Sequence, residues 1–138
     1  MADVNFLIAI LDIKHVHSER SLSWLNSVAE SESIVICRVV QMGAIRLLSR
    51  KSIMGDGVLS GSDAWAYLNR LFEDDRFVFA SEPTGFESAW KTICEWTPKG
   101  SSAETDTYLA AFAIASNLAV VTIDAGMTRF PGLVVECV

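Results

Sequence analysis

Short apolar runs alternate with stretches of helical periodicity along the chain, and this alternation is the feature that most constrains its fold. The runs are residues 34–37, 77–79, 119–123 and 133–136, and they are rich in β-branched and aromatic side chains. Uninterrupted runs of this kind are typical of strands buried on both faces of a parallel sheet. The alternation therefore predicts an α/β domain with a mainly parallel sheet.

Five amphipathic helices are predicted between these strands. Their bounds are residues 15–30, 39–50, 61–73, 86–96 and 101–116, with a glycine-containing loop at residues 54–57. Ser60 is followed three residues later by Asp63, which is the pattern of a capping box. Ser101 and Glu104 repeat this pattern at the start of the last helix. Glu104 is therefore interpreted as a capping residue, with a peripheral contact to a metal or a water molecule as the alternative.

The composition is that of a globular protein. The chain has 138 residues, of which 51% are hydrophobic and 20% charged, so we expect one domain over residues 1–138. Cys37, Cys94 and Cys137 share no metal-binding spacing and are expected to be buried free thiols in a reducing compartment. No pattern typical of a signal peptide or a bilayer-spanning helix occurs, so a soluble cytoplasmic protein is expected.

Acidic side chains lie at the ends of two predicted strands. Asp124 directly follows residues 119–123, the clearest strand in the chain. Asp3 precedes the apolar residues 4–11, whose first part is interpreted as the continuation of a short strand and whose remainder begins a helix. Open parallel sheets bind ligands beyond the carboxyl ends of their strands. Both acids are therefore candidates for a binding site.

Helical spacing adds Asp106 to these candidates. The apolar residues Leu109, Ala110, Ala113 and Ile114 lie on the same stripe of the predicted helix, which is expected to pack on the sheet. A carboxylate on such an inner face needs a partner, because burial without one is unfavourable. The alternative is an acid at a helix start that is favoured only by the macrodipole. We prefer the functional interpretation because two other acids end neighbouring elements.

Gln41 shows the same inward pattern, with Ala44, Ile45 and Leu48 on its stripe. Its amide is interpreted either as a hydrogen-bond partner of a carboxylate or metal-bound water, or as a side chain satisfied by backbone groups. Arg46 lies on a different face of the same helix. It either pairs with an acid or contacts phosphate.

These candidates together indicate metal-dependent hydrolysis of a phosphodiester. Clustered carboxylates raise each other's pKa unless a cation neutralises them. Mg²⁺ or Mn²⁺ accepts oxygen ligands, orients or deprotonates a water molecule and stabilises charge on the phosphate. The net charge of −6 is compatible, since an acidic protein needs bound cations between its carboxylates and nucleic-acid phosphates. No Ser/His/Asp signature, P-loop or dinucleotide fingerprint occurs.

Six segments carry a resemblance to a known family: residues 3–8, 15–17, 41–49, 105–111, 121–124 and 130–133. Each motif is weak alone, but the ordered set resembles the PIN-domain toxins of bacterial toxin–antitoxin pairs, the VapC group. The resemblance implies a three-layer α/β/α sandwich with a five-stranded parallel sheet. It also implies endoribonuclease activity that depends on Mg²⁺ or Mn²⁺, homodimers, and a cognate antitoxin that covers the active site.

The resemblance also assigns site residues by position. The residues that match the family's metal-binding acids are Asp3, Asp106 and Asp124, and those that match supporting polar positions are Asn5 and Thr122. Gln41 falls where many relatives carry Glu, so one anionic ligand is absent and metal binding is expected to be weaker or differently arranged. Only Met1 and Ala2 precede Asp3, and the first strand is therefore expected to be short or trimmed.

His15 and His17 are a further candidate metal site, but two helical residues at this separation do not face each other. Surface or helix-start roles are expected for them. RNA specificity is expected to lie in loops and in local basic residues, namely Arg38, Arg46, Arg50, Lys51 and Arg129.

Two other classes of function remain open. A non-catalytic PIN-like module that binds protein or RNA is favoured by Gln41 and by the short first strand. A phosphoacceptor-aspartate domain also places acids at strand ends. Against it, Asp3 is not followed by the second acid that such phosphatases use, and no suitable lysine follows a late strand.

Overall fold

The computed structural model describes residues 1–101 and 103–138. Its helices are α1 (Val4–Leu11), α2 (Ser18–Ser27), α3 (Arg38–Leu48), α4 (Lys51–Met54), α5 (Gly61–Asn69), α6 (Phe86–Cys94) and α7 (Glu104–Ser116). The strands are β1 (Ile34–Ile36), β2 (Phe77–Phe79), β3 (Ala119–Thr122) and β4 (Val134–Cys137). Turns of 3₁₀ helix occupy Gly55–Gly57, Arg70–Glu73 and Ala125–Arg129. Within the described ranges, no helix is both long and apolar enough to cross a membrane.

The strands form two parallel pairs, β1 with β2 and β3 with β4. The N-terminal segment joins the pairs: the Ala2 N–H donates to the carbonyl of Val35 at 2.9 Å, and the Asp3 N–H donates to the carbonyl of Val121 at 3.0 Å. Only Ala2 has bridge geometry, because the chain turns into α1 directly after Asp3. The prediction of an α/β fold with parallel pairing is confirmed, whereas the five-stranded sheet is not confirmed.

Several predicted bounds were wrong. Residues 4–11 are helical throughout, and no part of them continues a strand. The prediction failed here because a short apolar run that is buried on all sides has the same sequence pattern in a strand and in a core helix. The predicted helix 101–116 begins at Glu104, so a Ser101–Glu104 capping box is not formed, and Ser102 lies outside the described residues. In contrast, the cap at Ser60 is confirmed, since its Oγ accepts the N–H of Asp63 at 3.1 Å.

Two smaller predictions have mixed outcomes. All three cysteines are free, as expected, but Cys94 and Cys137 are exposed and only Cys37 is buried. The predicted helix 15–30 is limited to Ser18–Ser27. His17 precedes that helix, as expected for a helix-start residue, and its backbone N–H donates to Nδ1 of His15 at 3.2 Å.

Helix α1 lies in the centre of the core. Of its eight residues only Asn5 is exposed, and Phe6 and Leu7 are fully buried. It packs against α3 where Gly43 meets Val4, and a β-carbon added at Gly43 would lie only 2.7 Å from Val4 Cγ2. Glycine therefore allows the two helices to approach here without a shift of Val4. The contact fixes α1, whose N-cap is Asp3, against α3.

Gly43→Ala should lower the free energy of unfolding by about 1 kcal/mol. Overpacking at the contact costs about 1–3 kcal/mol. Alanine has a better helix propensity than glycine, which offsets about 1 kcal/mol of this cost. Val4 is buried and β-branched, so it has no other favourable rotamer in a helix. Urea unfolding measures the change. In a Val4→Ala background, where the clashing methyl groups are absent, Gly43→Ala should cost almost nothing, and Gly61→Ala, where nothing lies within 4 Å, should not destabilise the parent. Equal stability of Gly43→Ala and the parent would contradict the close contact.

Candidate functional site

Asp3 is a buried carboxylate at the junction of the two strand pairs, with an exposed fraction of 6%. The hydroxyl of Thr122 donates to its Oδ2 at 2.7 Å. Burial raises the pKa of the Asp3 carboxyl above its usual range, and the charge of Asp106 raises it further. The hydrogen bonds from Thr122 and from the N–H groups of Val4 and Asn5 oppose this rise. The ionised form of Asp3 is therefore held at an unfavourable position.

Asp106 lies in the first turn of α7 and is half-buried. It shares with Asp3 a cleft of about 560 Å³, here called the acidic cleft, whose other lining residues are Val4, Asn5, Val39, Met42, Gly43, Arg46, Leu47 and Thr105. Nη2 of Arg129 donates to Asp106 Oδ2 at 2.7 Å. Arg129 also donates to the carbonyl of Gly126 at 3.0 Å and lies over the Phe130 ring. The inward acid thus has a partner, and it is an arginine.

The position of Asp106 on α7 is secured by an aromatic cluster between α6 and α7. The Tyr108 ring packs edge-on against Phe86 and Trp90, with centroids 4.8 and 5.4 Å away. The indole N–H of Trp90 donates to the hydroxyl of Thr107 at 3.0 Å. The first turn of α7, which carries Asp106, is therefore bound to α6 by packing and by a hydrogen bond.

Asp124 is exposed and follows β3, as the sequence predicted. Its Oδ1 accepts the N–H of Gly126 at 2.7 Å, which caps the 3₁₀ turn. Its own N–H donates to the Thr122 hydroxyl oxygen at 3.0 Å. Thr122, fully buried, therefore links the two acids, since it donates to Asp3 and accepts from Asp124.

The structure brings Asp3 and Asp106 into one cleft, but Asp124 does not line it. Among the described residues, no three or more His, Cys, Asp or Glu side chains form a group that could hold a metal ion. The three-acid metal centre therefore stays a prediction. The chemistry of the donor set nevertheless fits Mg²⁺ or Mn²⁺, because carboxylate and hydroxyl oxygens are their preferred ligands. Within the described ranges Asp3 also has no cationic side chain as a partner.

The other predicted site residues lie at or beside the acidic cleft. Arg46 and Asn5 are exposed and line it. Gln41 is buried, and its Oε1 accepts Nη1 of Arg38 at 2.7 Å. Neither interpretation of the Gln41 amide named the partner of its oxygen, which is the Arg38 guanidinium, and the proposed contact of the amide with a carboxylate or a metal-bound water stays a prediction.

Sequence reasoning missed two contacts of this region. Arg129 was considered only as an RNA contact, although the structure pairs it with Asp106. The sequence feature that could have indicated this pairing is the short turn after Asp124, which ends in Arg129 and so brings a cation close to the acids. The stacking of Arg38 over Phe79 left no signal, because the two residues lie on elements distant in sequence.

Residues 1–133 match the family model described as PIN domain. A protein of Mycobacterium tuberculosis named Ribonuclease VapC41 is 31% identical over 137 residues, which cover 96% of this chain and 94% of that protein. Both matches extend over almost the whole chain, and the family model includes every candidate residue described above.

Solved structures give the same fold at lower identity. A chain of VapBC2 from Rickettsia felis, crystallised with a DNA fragment from its promoter, superposes with a TM-score of 0.73 at 16% identity. It is matched over 99% of this chain and 96% of its own length. A chain of FitAcB from Neisseria gonorrhoeae has a TM-score of 0.67 at 20% identity, over 97% and 94% of the two chains. At these identities the similarity shows the fold.

Proposed function

The chain belongs to the PIN-domain family, and from this premise we propose that it is a single-domain endoribonuclease that depends on Mg²⁺ or Mn²⁺. The observation that carries the proposal is the buried Asp3 carboxylate, which has no cationic side-chain partner among the described residues and faces Asp106 in the acidic cleft. Burial of a charge without a counter-ion is unfavourable, so its presence indicates a ligand of positive charge. The name of the Mycobacterium tuberculosis relative supports RNA as the substrate.

In this proposal Asp3, Asp106 and Asp124 hold the ion. A bound divalent cation supplies a nucleophilic water at neutral pH and neutralises charge on the phosphodiester. Thr122 orients Asp3 by its hydrogen bond and joins it to the Asp124 backbone. Arg46 contacts an RNA phosphate in this proposal, which its exposed position at the lining of the acidic cleft supports.

We further propose that the protein is the toxin of a toxin–antitoxin pair, acting in the cytoplasm and inhibited by a cognate antitoxin. The two solved neighbours described above support a partner protein, since both belong to named two-component complexes. Homodimerisation is proposed from the family resemblance alone.

The experiment is RNA cleavage by the purified chain with Mg²⁺ or Mn²⁺, compared with the same reaction in a chelator. We expect cleavage only with the metal. Asp124→Asn is the control for contaminating nuclease, because Asp124 is exposed and asparagine also caps a turn, so folding should be retained. Activity in the chelator, or full activity of Asp124→Asn, would contradict the proposal.

The second candidate is a non-catalytic PIN-like module that binds RNA or protein. It is favoured by the pairing of Asp106 with Arg129, which leaves one carboxylate already neutralised. RNA binding with no cleavage under any metal condition would favour this function.

A further inference from the structure

Arg38 and Phe79 form an exposed pair at the carboxyl edge of the β1–β2 sheet. Arg38 begins α3 two residues after β1 ends, and Phe79 ends β2 in register with Ile36. The guanidinium carbon lies 4.6 Å from the centroid of the Phe79 ring. Arg38 is exposed, and 40% of the surface of Phe79 is accessible. The pair thus presents a cation and an aromatic ring side by side to the solvent.

Arg38 is held in place and keeps its charge. Nη1 donates to Oε1 of buried Gln41 at 2.7 Å, and this neutral acceptor fixes the guanidinium without neutralising it. Glu82 lines the same small cleft of about 220 Å³, together with Phe79 and Tyr108, but it accepts the Tyr108 hydroxyl at 3.0 Å. Within the described ranges, no acid forms an ion pair with Arg38. The remaining N–H donors of a fixed guanidinium are therefore available to an anion.

This cleft and the acidic cleft lie at the same edge, because the Ala2 N–H donates to the carbonyl of Val35 in β1 at 2.9 Å, so that Asp3 and Arg38 follow the ends of neighbouring segments. Val39, the residue after Arg38, lines the acidic cleft with Asp3 and Asp106. On the other side, Tyr108 lies two residues after Asp106 on α7 and lines the cleft of Arg38. Arg38 therefore lies along the edge on which a nucleotide chain bound at the acidic cleft would continue.

We propose that Arg38 and Phe79 form a nucleotide subsite for single-stranded RNA beside the cleavage centre. Arg38 binds a phosphodiester, and a base stacks on the surface formed by the Phe79 ring and the guanidinium plane, as bases do in single-strand binding proteins. Gln41 is the positioning residue of Arg38. The amide of Gln41 is neutral, so Arg38 keeps its positive charge for an RNA phosphate, whereas a carboxylate at this position would form an ion pair with Arg38 and neutralise it. This subsite rests on the proposed function for its substrate.

The test measures binding of a labelled single-stranded RNA oligonucleotide to the full chain by fluorescence polarisation, in a chelator so that no cleavage occurs. Arg38→Gln should weaken binding about tenfold, the size of one charge-assisted contact. It should also lower the slope of log affinity against log salt by about 0.7, the value for one phosphate contact on a single strand. Phe79→Leu should weaken binding about fivefold and leave the slope unchanged.

Two further variants complete the test. Gln41→Glu should lower the salt slope as Arg38→Gln does, because an ion-paired arginine no longer neutralises a phosphate; a merely structural role of Gln41 would not change the slope. Arg70→Gln is the matched control, since Arg70 is exposed and precedes β2, away from the edge where β2 ends. Circular dichroism verifies that each variant is folded.

The outcomes separate this subsite from the nuclease activity. If the parent chain binds no RNA, or if Arg38→Gln and Phe79→Leu bind like the parent, the subsite is overturned whether or not cleavage occurs. If binding needs Arg38 but no metal ion gives cleavage, the subsite stands and the nuclease function fails.

Discussion

Asp3→Asn should reduce metal-dependent RNA cleavage at least about 100-fold and at the same time raise the stability of the metal-free protein. Loss of cleavage follows because an amide replaces an anionic metal ligand, and even indirect ligand contacts are worth about 10–100-fold. Cleavage rates at saturating Mn²⁺ and urea unfolding in a chelator measure the two effects on the same preparation.

The gain in stability follows from the burial of the Asp3 charge. The neutral amide of the variant can still accept the Thr122 hydroxyl that now donates to Oδ2 at 2.7 Å. A buried ion without a partner carries a desolvation penalty of several kcal/mol, so a neutral side chain of the same size should stabilise the metal-free fold by about 1 kcal/mol or more. Asp124→Asn is the matched control, because its carboxylate is exposed and its removal should abolish cleavage without raising stability. An Asp3→Asn variant less stable than the parent would show that the carboxylate is already neutralised in the folded chain.

The stability of the metal-free parent should also depend on pH through Asp3. Burial raises its folded pKa above the unfolded value of about 3.9, so the folded state binds the proton more tightly. Stability therefore falls as the pH rises from the unfolded pKa to the folded one, and the loss is complete above the folded pKa. The Asp3→Asn variant has no titrating group at this position. The difference between its free energy of unfolding and that of the parent should therefore grow as the pH rises from the unfolded to the folded pKa of Asp3.

Elements with a clear local period were predictable from the sequence. The strand Phe77–Phe79 has the predicted bounds, and Ala119–Thr122 differs from its prediction by one residue. Both were predictable because short runs of β-branched and aromatic residues between helices favour a strand over other conformations. Helix α1 was mispredicted in part because all but one of its side chains are buried, which removes the polar face that identifies a helix.

The places of single candidate residues in the fold were predictable from the sequence, but the partners of their side chains were not. The predicted strand 119–123 correctly put Asp124 after the end of β3, and the apolar stripe of the predicted helix correctly put Asp106 on a face of α7 that is partly buried. The partner of Asp106, Arg129, depends on how the 3₁₀ turn folds back on α7, and this geometry has no period in the sequence. The partner of Gln41 was missed for a different reason: Arg38 lies three residues away on the same helix, a spacing that allows a contact, but the amide oxygen could equally accept from backbone or other side-chain donors.

A saturating divalent cation should raise the thermal stability of the parent chain by roughly 10 °C. A ligand at 100 times its Kd stabilises by about 2.7 kcal/mol, and about 1 kcal/mol corresponds to a few degrees for a chain of this length. The physical reason is the Asp3 carboxylate, whose desolvated charge gains the counter-ion that the described side chains do not supply. Thermal melts with Mn²⁺ and with a chelator, at matched ionic strength, measure the shift.

The metal and Asp3→Asn remove the same unfavourable charge, so their stabilising effects should not add. In a cycle of the parent and Asp3→Asn, each with and without Mn²⁺, the variant should begin at a higher melting temperature and gain almost nothing from the ion. Additive shifts would mean that the ion binds elsewhere, for instance at exposed acids. Arg129 does not replace the ion in this cycle, because it pairs with Asp106, and Asp3 has no cationic partner in the described part of the chain. Non-additive shifts would thus show that the ion stabilises the protein through Asp3, the carboxylate whose ionised form is disfavoured by burial.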